Sequence, residues 1–329
     1  MINLVTGANG FVGAAVVRAL VARGESVRAL VRDGSNAVNL DGLPIEIVRG
    51  DITDAASLRR AAAGCNAVLH VAADYRLWAP NEQAMYRTNV DGSVNVLESA
   101  AAAGAEKMVY TSSVAVLGIN TDRSPANETT PVTLGDMIGP YKRSKFLAEQ
   151  AVQERAAALG FPVITVNPST PIGPGDFRPT PTGRIIVDAA LGRMPAYVDT
   201  GLNIVHVDDV AAGHLLARDR GEPGERYILG GADMSLREIL AMVATHAGRK
   251  PPSVRLPRAV VYPIAVVSEW LAKLSGKEPR VTLDGLRMAK KHMYFSSHKA
   301  EAALGYRWRP PEQAIVDALD WFRAHKLVG

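Results

Sequence analysis

The chain has 329 residues, 47% of them hydrophobic and 21% charged, with a formal net charge of +4. That length and apolar content suit one large or two modest domains with a substantial core, and nothing signals disorder. The basic residues are dispersed without an aromatic-interleaved patch, which argues against nucleic acid as a partner. A single cysteine, Cys65, excludes an internal disulfide and reads as a small core residue.

Residues 2–5 read as a short strand that runs into Thr6-Gly7-Ala8-Asn9-Gly10-Phe11-Val12-Gly13 and a helix opening near Phe11. Glycines let the backbone approach a pyrophosphate closely, and a helix N-terminus aims free N–H groups and its positive dipole end at the anion. The glycines fall at 7, 10 and 13, a departure from the usual G-x-G-x-x-G spacing. A strand beginning at Ile2 leaves no room for a charged region and an apolar signal core, so a cytoplasmic location is expected.

Further strands are predicted at 27–31, 45–48, 67–71, 108–111 and 163–166, alternating with helix-length segments. This is the pattern of an α/β fold with a doubly wound parallel sheet, whose ligands bind at the carboxyl ends of the strands. Arg32 and Asp33 stand at the end of the second strand. An acid there holds the adenosine ribose hydroxyls, while an arginine's fork of donors suits a 2′-phosphate, and a one-residue change of register decides between them.

The strand at 108–111 leads into Ser112 and Ser113, and Tyr141 and Lys145 follow in Gly139-Pro140-Tyr141-Lys142-Arg143-Ser144-Lys145. Proline is accepted in a first helical turn, which puts the tyrosine and lysine on one helix face at i and i+4. There the ammonium can sit beside the phenol and stabilise its anion, making an acid–base pair. Alone, that spacing recurs by chance on solvated helix faces. Its weight comes from the glycine turn and the serine that precede it.

None of the seven histidines shows a zinc-enzyme spacing and there is one cysteine, so no metal site is expected. His206 is expected to brace a strand-to-helix junction with Asp208 or Asp209 as cap. The apolar segment 259–267 is too short to span a bilayer and contains a proline, so a core or substrate-lid segment is expected, but Arg255, Arg258, Lys273 and Lys277 flank it and leave peripheral membrane contact open.

These motifs resemble the extended short-chain dehydrogenases/reductases, the NAD-dependent epimerase/dehydratase superfamily. The likeness covers nearly the whole chain. Gly50-Asp51-Ile52, Thr88-Asn89-Val90-Asp91-Gly92, Tyr110-Thr111-Ser112-Ser113, Val205-His206-Val207-Asp208-Asp209-Val210 and Leu304-Gly305-Tyr306 are similar to segments of hopanoid-associated sugar epimerases, which resemble dihydroflavonol 4-reductases.

The resemblance implies a Rossmann domain of 1–167 and 203–232, and a smaller, discontinuous C-terminal α/β substrate domain of 168–202 and 233–329. It implies Ser113, rather than Ser112, as the group holding the substrate oxygen, Tyr141 as acid–base catalyst and Lys145 as its partner. It implies cofactor contacts from Gly7, Asn9, Gly10, Phe11, Val12, Gly13, Arg32, Asp51, Ile52, Ala72, Ala73, Asn89, Thr111 and Pro168, besides Tyr141 and Lys145. Asp51 also suits a helix cap near Ala55, and Asn89 also suits a solvated helix position.

An arginine in a similar Val-Arg-Asp stretch of dihydroflavonol reductases recognises NADP, which favours NADP over NAD here. Such enzymes act on small molecules and commonly form homodimers through helices of the first domain. Reductase, dehydrogenase, epimerase and dehydratase share this trio of catalytic residues. Arg178, Arg184, Arg193, Arg249 and Arg280 are candidates for a substrate pyrophosphate. The apolar 256–274 stretch better suits a lipid-like or polycyclic substrate. An NADP-dependent reductase or dehydrogenase is therefore expected ahead of an NAD-dependent nucleotide-sugar epimerase or dehydratase. A non-catalytic dinucleotide sensor would not need the complete Ser113, Tyr141 and Lys145 set.

Overall fold

Runs of β-branched and aliphatic residues, buried on both faces, build the central strands, as a parallel sheet covered by helices requires. In the computed structural model, which describes residues 1–78, 81–275 and 282–328, strands and helices alternate through the first half of the chain. They are β1 (Ile2–Thr6), α1 (Phe11–Ala22), β2 (Ser26–Val31), β3 (Glu46–Arg49), α2 (Ala55–Ala62) and β4 (Ala67–His70). There follow α3 (Glu82–Tyr86), α4 (Gly92–Ala102), β5 (Lys107–Thr111), α5 (Gly139–Leu159) and β6 (Val163–Pro168). The six expected strands lie where their apolar runs placed them.

The second half comprises β7 (Thr170–Ile172), α6 (Pro181–Ala190), β8 (Ala196–Tyr197), β9 (Gly201–His206), α7 (Val207–Arg220) and β10 (Arg226–Leu229). It continues with β11 (Ala232–Ser235), α8 (Leu236–His246), β12 (Val254–Arg255), α9 (Arg258–Ser275) and α10 (Leu283–Met288). Last come β13 (His292–Met293), α11 (His298–Leu304) and α12 (Pro311–Ala324).

Seven strands form one sheet in the order β10-β6-β5-β4-β1-β2-β3, every pair parallel. The order reverses between β1 and β4, the switch point where a crevice opens at the strands' carboxyl ends in a doubly wound sheet. One core, with Val5, Val17, Val31, Val207 and Val210, joins the sheet to α1 and α7. The other, with Leu4, Leu58, Leu97 and Val152, joins the opposite face to α2, α4 and α5.

A smaller sheet runs β11-β9-β13 with β7 beside β9. The stretch from 203 was expected to return to the first domain, yet β9 hydrogen-bonds in this smaller sheet, and the return begins with α7 and β10. Buried Asn203 ties β9 there, donating to the Gly231 and Phe295 carbonyls at 3.1 and 3.0 Å and accepting from Gly231 N–H at 2.8 Å. Its apolar neighbours fit either sheet, so pattern alone could not assign the strand. Among the described residues no helix is long and apolar enough to cross a membrane, and no group of three His, Cys, Asp or Glu could hold a metal ion.

Candidate functional site

The glycine turn leaves β1 at the switch point and is built by close backbone approach. Gly7 has φ +64°, and a Cβ there would lie 2.7 Å from Ala72 Cα. A Cβ at Gly13 would lie 2.1 Å from the Gly7 carbonyl oxygen, and one at Gly10 would lie 3.2 Å from it. The unusual glycine spacing thus meets three separate demands of one turn. Helix α1 opens at Phe11 with Gly10 as N-cap, no side-chain cap and no acid in its first turn. Phe11 and Val12 pack their side chains against the core, leaving their backbone at the turn. Asn9 does not reach into the turn: its side chain donates to Asn36 O at 2.8 Å, tying the turn to the loop after β2.

Around this turn stand the other expected cofactor residues. Arg32 and Asp33 directly follow β2 and are exposed. The Arg32 carbonyl accepts from Arg49 at 3.1 Å, which brings a second guanidinium to the same strand end. Asp51 follows β3, and its side chain accepts from Thr53 N and Oγ1 at 2.8 and 2.7 Å. It is not the cap of α2, because Asp54 fills that place by accepting from Ala56 N–H. Ile52 is buried against Gly92, while Ala72 and Ala73 are half-buried beyond β4. Ala72 N–H donates to Thr6 Oγ1 at 3.2 Å.

A buried polar network, joined where Ser93 Oγ donates to the Asn89 carbonyl at 2.6 Å, braces the crevice. Asn89 is 1% exposed and sits in a π-helical turn, Arg87–Asp91, between α3 and α4. Its solvated reading therefore fails. It accepts from Asp74 N–H at 2.7 Å and donates to the Asp74 carbonyl and Ser144 Oγ, each at 2.9 Å. Such a turn inserts one residue into a helix and re-aims a side chain, a common device beside functional sites. His70 bridges Thr6 Oγ1 and Ser93 Oγ at 2.7 and 2.9 Å.

Helix α5 carries the acid–base candidates. Gly139 opens it with φ +80° and Pro140 occupies its first turn, as expected. Tyr141 is half-buried, and burial pushes its phenol up while the nearby Ser113 hydroxyl pulls it down. Ser113 thus meets Tyr141; its hydroxyl also accepts from Ala115 N–H at 3.1 Å.

Lys145 differs from expectation. Its ammonium does not pair with Tyr141 but donates to the Thr111 carbonyl at 2.8 Å and Tyr110 Oη at 3.1 Å, and it lies 4.7 Å from the Tyr110 ring centroid. A buried ammonium needs acceptors, and the end of β5 supplies two of them within reach. Burial pushes Lys145 down to about 8, opposed by Glu149 one turn further along α5. The Thr111 side chain points to the opposite face, at 2.9 Å from His214 Nε2, so only its backbone faces the lysine.

At the carboxyl ends of β5 and β6, Ser112 Oγ, Asn167 Oδ1 and Ser169 Oγ are buried without a hydrogen-bond partner. Pro168, between the last two, ends β6 and is buried. Buried polar atoms in native proteins are nearly always satisfied, so these three, with the uncapped helix and the glycine cradle, fit a bound polar ligand such as a dinucleotide. Tyr110, Ser144, Ser93 and His70 escaped sequence reasoning because a polar side chain inside a strand or helix shows no partner in one dimension.

His206 braces the β9–α7 junction as expected, but the cap of α7 differs. His206 is itself the cap of α7, accepting from Asp208 N–H at 3.0 Å and lying 3.1 Å from Asp317. Asp209 is instead taken by Arg309 at 2.7 Å. Among the arginines, Arg178 and Arg184 act electrostatically on Tyr75 together with Asp176, whereas Arg193 pairs with Asp188 at 3.5 Å. Arg249 lies beside Gly192, and Arg280 falls outside the described residues.

Burial holds the imidazoles of His70 and His214 neutral, pushing His70 down to about 3 and His214 to about 4. Unfolding returns them toward 6.5, so below that pH the unfolded chain binds more protons and the fold weakens. Asp176, pushed up to about 6 by burial, acts in the opposite sense as pH falls from 6 toward its unfolded value of 3.8. The expected result is an unfolding free energy that falls below pH 6.5, by about 1.4 kcal/mol per pH unit for each unopposed imidazole. Urea unfolding at pH 7.5, 5.5 and 4.5 measures it; a flat or rising profile contradicts the assignment.

Comparison with known proteins adds a lineage to this geometry. The family model Epimerase, for the NAD dependent epimerase/dehydratase family, matches residues 3–230. The chain is 45% identical over 328 residues to a putative dihydroflavonol 4-reductase of Synechocystis sp., covering 98% of this chain and 95% of that one. It is 35% identical over 330 residues to sterol demethylase protein B of Methylococcus capsulatus, covering 100% of both. Among solved structures, gox2253 matches with a TM-score of 0.90 at 52% identity, covering 100% of this chain and 99% of that one.

Proposed function

Because the chain belongs to the NAD dependent epimerase/dehydratase family, a family of nicotinamide-dinucleotide enzymes, we propose that it is an NADP-dependent ketone/alcohol oxidoreductase acting on an apolar substrate. The observation that carries this reading is the convergence of Ser113, at the end of β5, on Tyr141 of α5, whose phenol it pulls down, with Lys145 one helical turn further along the same helix. Nicotinamide dinucleotide held at the glycine turn would supply or accept the hydride of such a reaction. Ser113 holds the substrate oxygen, and Tyr141 gives it a proton in the reducing direction or takes one in the oxidising direction. Burial keeps the phenol protonated at neutral pH, the form a reductase needs. Lys145, anchored on Tyr110 and Thr111, places a buried positive charge beneath the site and favours the phenolate as it forms.

Support for NADP comes from Arg32, which stands free at the strand end with Arg49 beside it; among the described residues no carboxylate pairs with it. Two guanidiniums at that point suit a 2′-phosphate. The test is a fluorescence titration with NADPH and with NADH. NADPH is expected to bind more tightly, and Arg32→Ala to weaken it by about ten- to a hundredfold while leaving NADH unchanged. Equal loss for both cofactors would contradict the assignment.

An apolar substrate, of polycyclic or hopanoid-related type, is supported by the relatives named for a dihydroflavonol and a sterol, and by the apolar α9. The competing reading, an NAD-dependent nucleotide-sugar epimerase or dehydratase, draws on Arg178 and Arg184 gathered near Tyr75. Mass spectrometry of the purified protein separates the two, because an epimerase of this kind retains NAD. A homodimer would cover the groove lined by Tyr86, Val90, Leu147 and Ala151 across α3 and α5, and light scattering reads that state directly.

A further inference from the structure

Helix α9 turns its large apolar side chains outward. Among its described side chains Val260, Tyr262, Val266, Val267, Trp270 and Leu271 are 42–60% exposed, whereas the buried ones are the small residues Ala265 and Ala272. The stripe is continuous along the helix at i, i+3 and i+4 spacing, while the other exposed large apolar side chains are scattered over the molecule. A surface helix normally buries its large residues, so a continuous outward stripe calls for a cover. The sequence on either side of it is equally one-sided in charge. Residues 249–291 contain ten Lys or Arg against three Asp or Glu, which leaves 27 basic against 30 acidic residues in the rest of the chain. Within α9 from 259 to 272 the sole charge is Glu269, half-buried and accepting from Leu283 N–H at 2.7 Å.

We infer that this face docks on an anionic lipid bilayer, α9 lying in the interface with Tyr262 and Trp270 at headgroup level and the basic segments around it facing lipid phosphates. An apolar face rimmed by cations is the composition that binds such surfaces. A second copy of the chain is a poorer occupant, because pairing two such faces would bring the two basic rims together. No described helix is long and apolar enough to cross a membrane, so α9 lies flat on it. The placement also serves the site. α10 packs on α9, and its Asp284 carboxylate is where a Cβ on Gly139, two residues before Tyr141, would come within 2.9 Å. The docked face therefore adjoins the opening of the catalytic helix, and an apolar substrate dissolved in the bilayer lies next to it; this last point rests on the reading of the substrate as apolar.

The test is co-sedimentation of the full chain with phosphatidylcholine vesicles, with and without phosphatidylglycerol. The expected result is at least about tenfold stronger binding to the anionic vesicles, weakening as salt is raised, and at least about tenfold loss in a Val267→Asp, Trp270→Asp double variant. The NADPH titration of that variant should be unchanged, which shows that it folds and keeps vesicle binding separable from redox function. Absence of binding to either vesicle, equal binding to both, or parent-like binding by the variant overturns the inference. Sedimentation velocity showing self-association that the variant abolishes assigns the face to a second copy and overturns it as well.

Discussion

Replacing Tyr141 by phenylalanine is expected to lower kcat for ketone reduction by about two to four orders of magnitude, the scale of a positioned proton donor, with NADPH affinity unchanged. The ring still fills its half-buried place on α5, so the change removes the phenolic hydroxyl beside Ser113 and little else. The assay uses a panel of 3-ketosteroids and dihydroflavonols, followed by NADPH oxidation with whichever member turns over. A variant with parent-like kcat would show that the proton comes from elsewhere, and Ser113 would be the next group to remove.

Gly13→Ala is expected to abolish measurable dinucleotide binding, and to do so far more completely than Gly10→Ala. At Gly13 the new Cβ would fall 2.1 Å from a backbone carbonyl that has no side-chain freedom, whereas at Gly10 the contact is 3.2 Å and a few tenths of an ångström relieve it. Overpacking of this kind costs about 1–3 kcal/mol or more where the backbone must shift. The shift here would move the opening of α1 away from the turn and disperse the N–H groups that face a pyrophosphate. Isothermal titration with NADPH, beside circular dichroism to confirm folding, compares the two variants. Equal affinities would mean that the turn does not cradle the phosphates.

The sheet was legible because its strands are contiguous apolar runs whose period needs no partner to be recognised, as at 67–71 and 108–111. The placement of Tyr141 in the first turn of α5 was legible too, since a proline at a helix start fixes where i and i+4 fall, whereas Ser113 was preferred to Ser112 only through the family resemblance. What the sequence concealed depends on which of several near groups a side chain meets. Lys145 had Tyr141 as its nearest candidate along the helix, yet the buried end of β5 offered a carbonyl and a second phenol from residues 34 and 35 positions away. Asn89 looked like any helix asparagine until the π-helical turn pointed it at Asp74 and Ser144. For β9, alternation shows that a strand has a buried face but not which sheet it joins, so the chain's return to the large sheet at α7 could be seen only in three dimensions. The outward apolar face of α9 is hidden for the same reason, because a hydrophobic run reads as core wherever it lies.

The central claim, net reduction with proton transfer through Tyr141, is tested most directly by deuterium transfer. Incubation with NADPH carrying deuterium at the transferable C4 position, followed by mass spectrometry of product and cofactor, is expected to show one deuterium on the new carbinol carbon. One NADP should be released for each product, and both signals should be lost in Tyr141→Phe. Return of the substrate as its stereoisomer, with no net cofactor oxidation and NAD held in the protein, would contradict it and make the enzyme an epimerase.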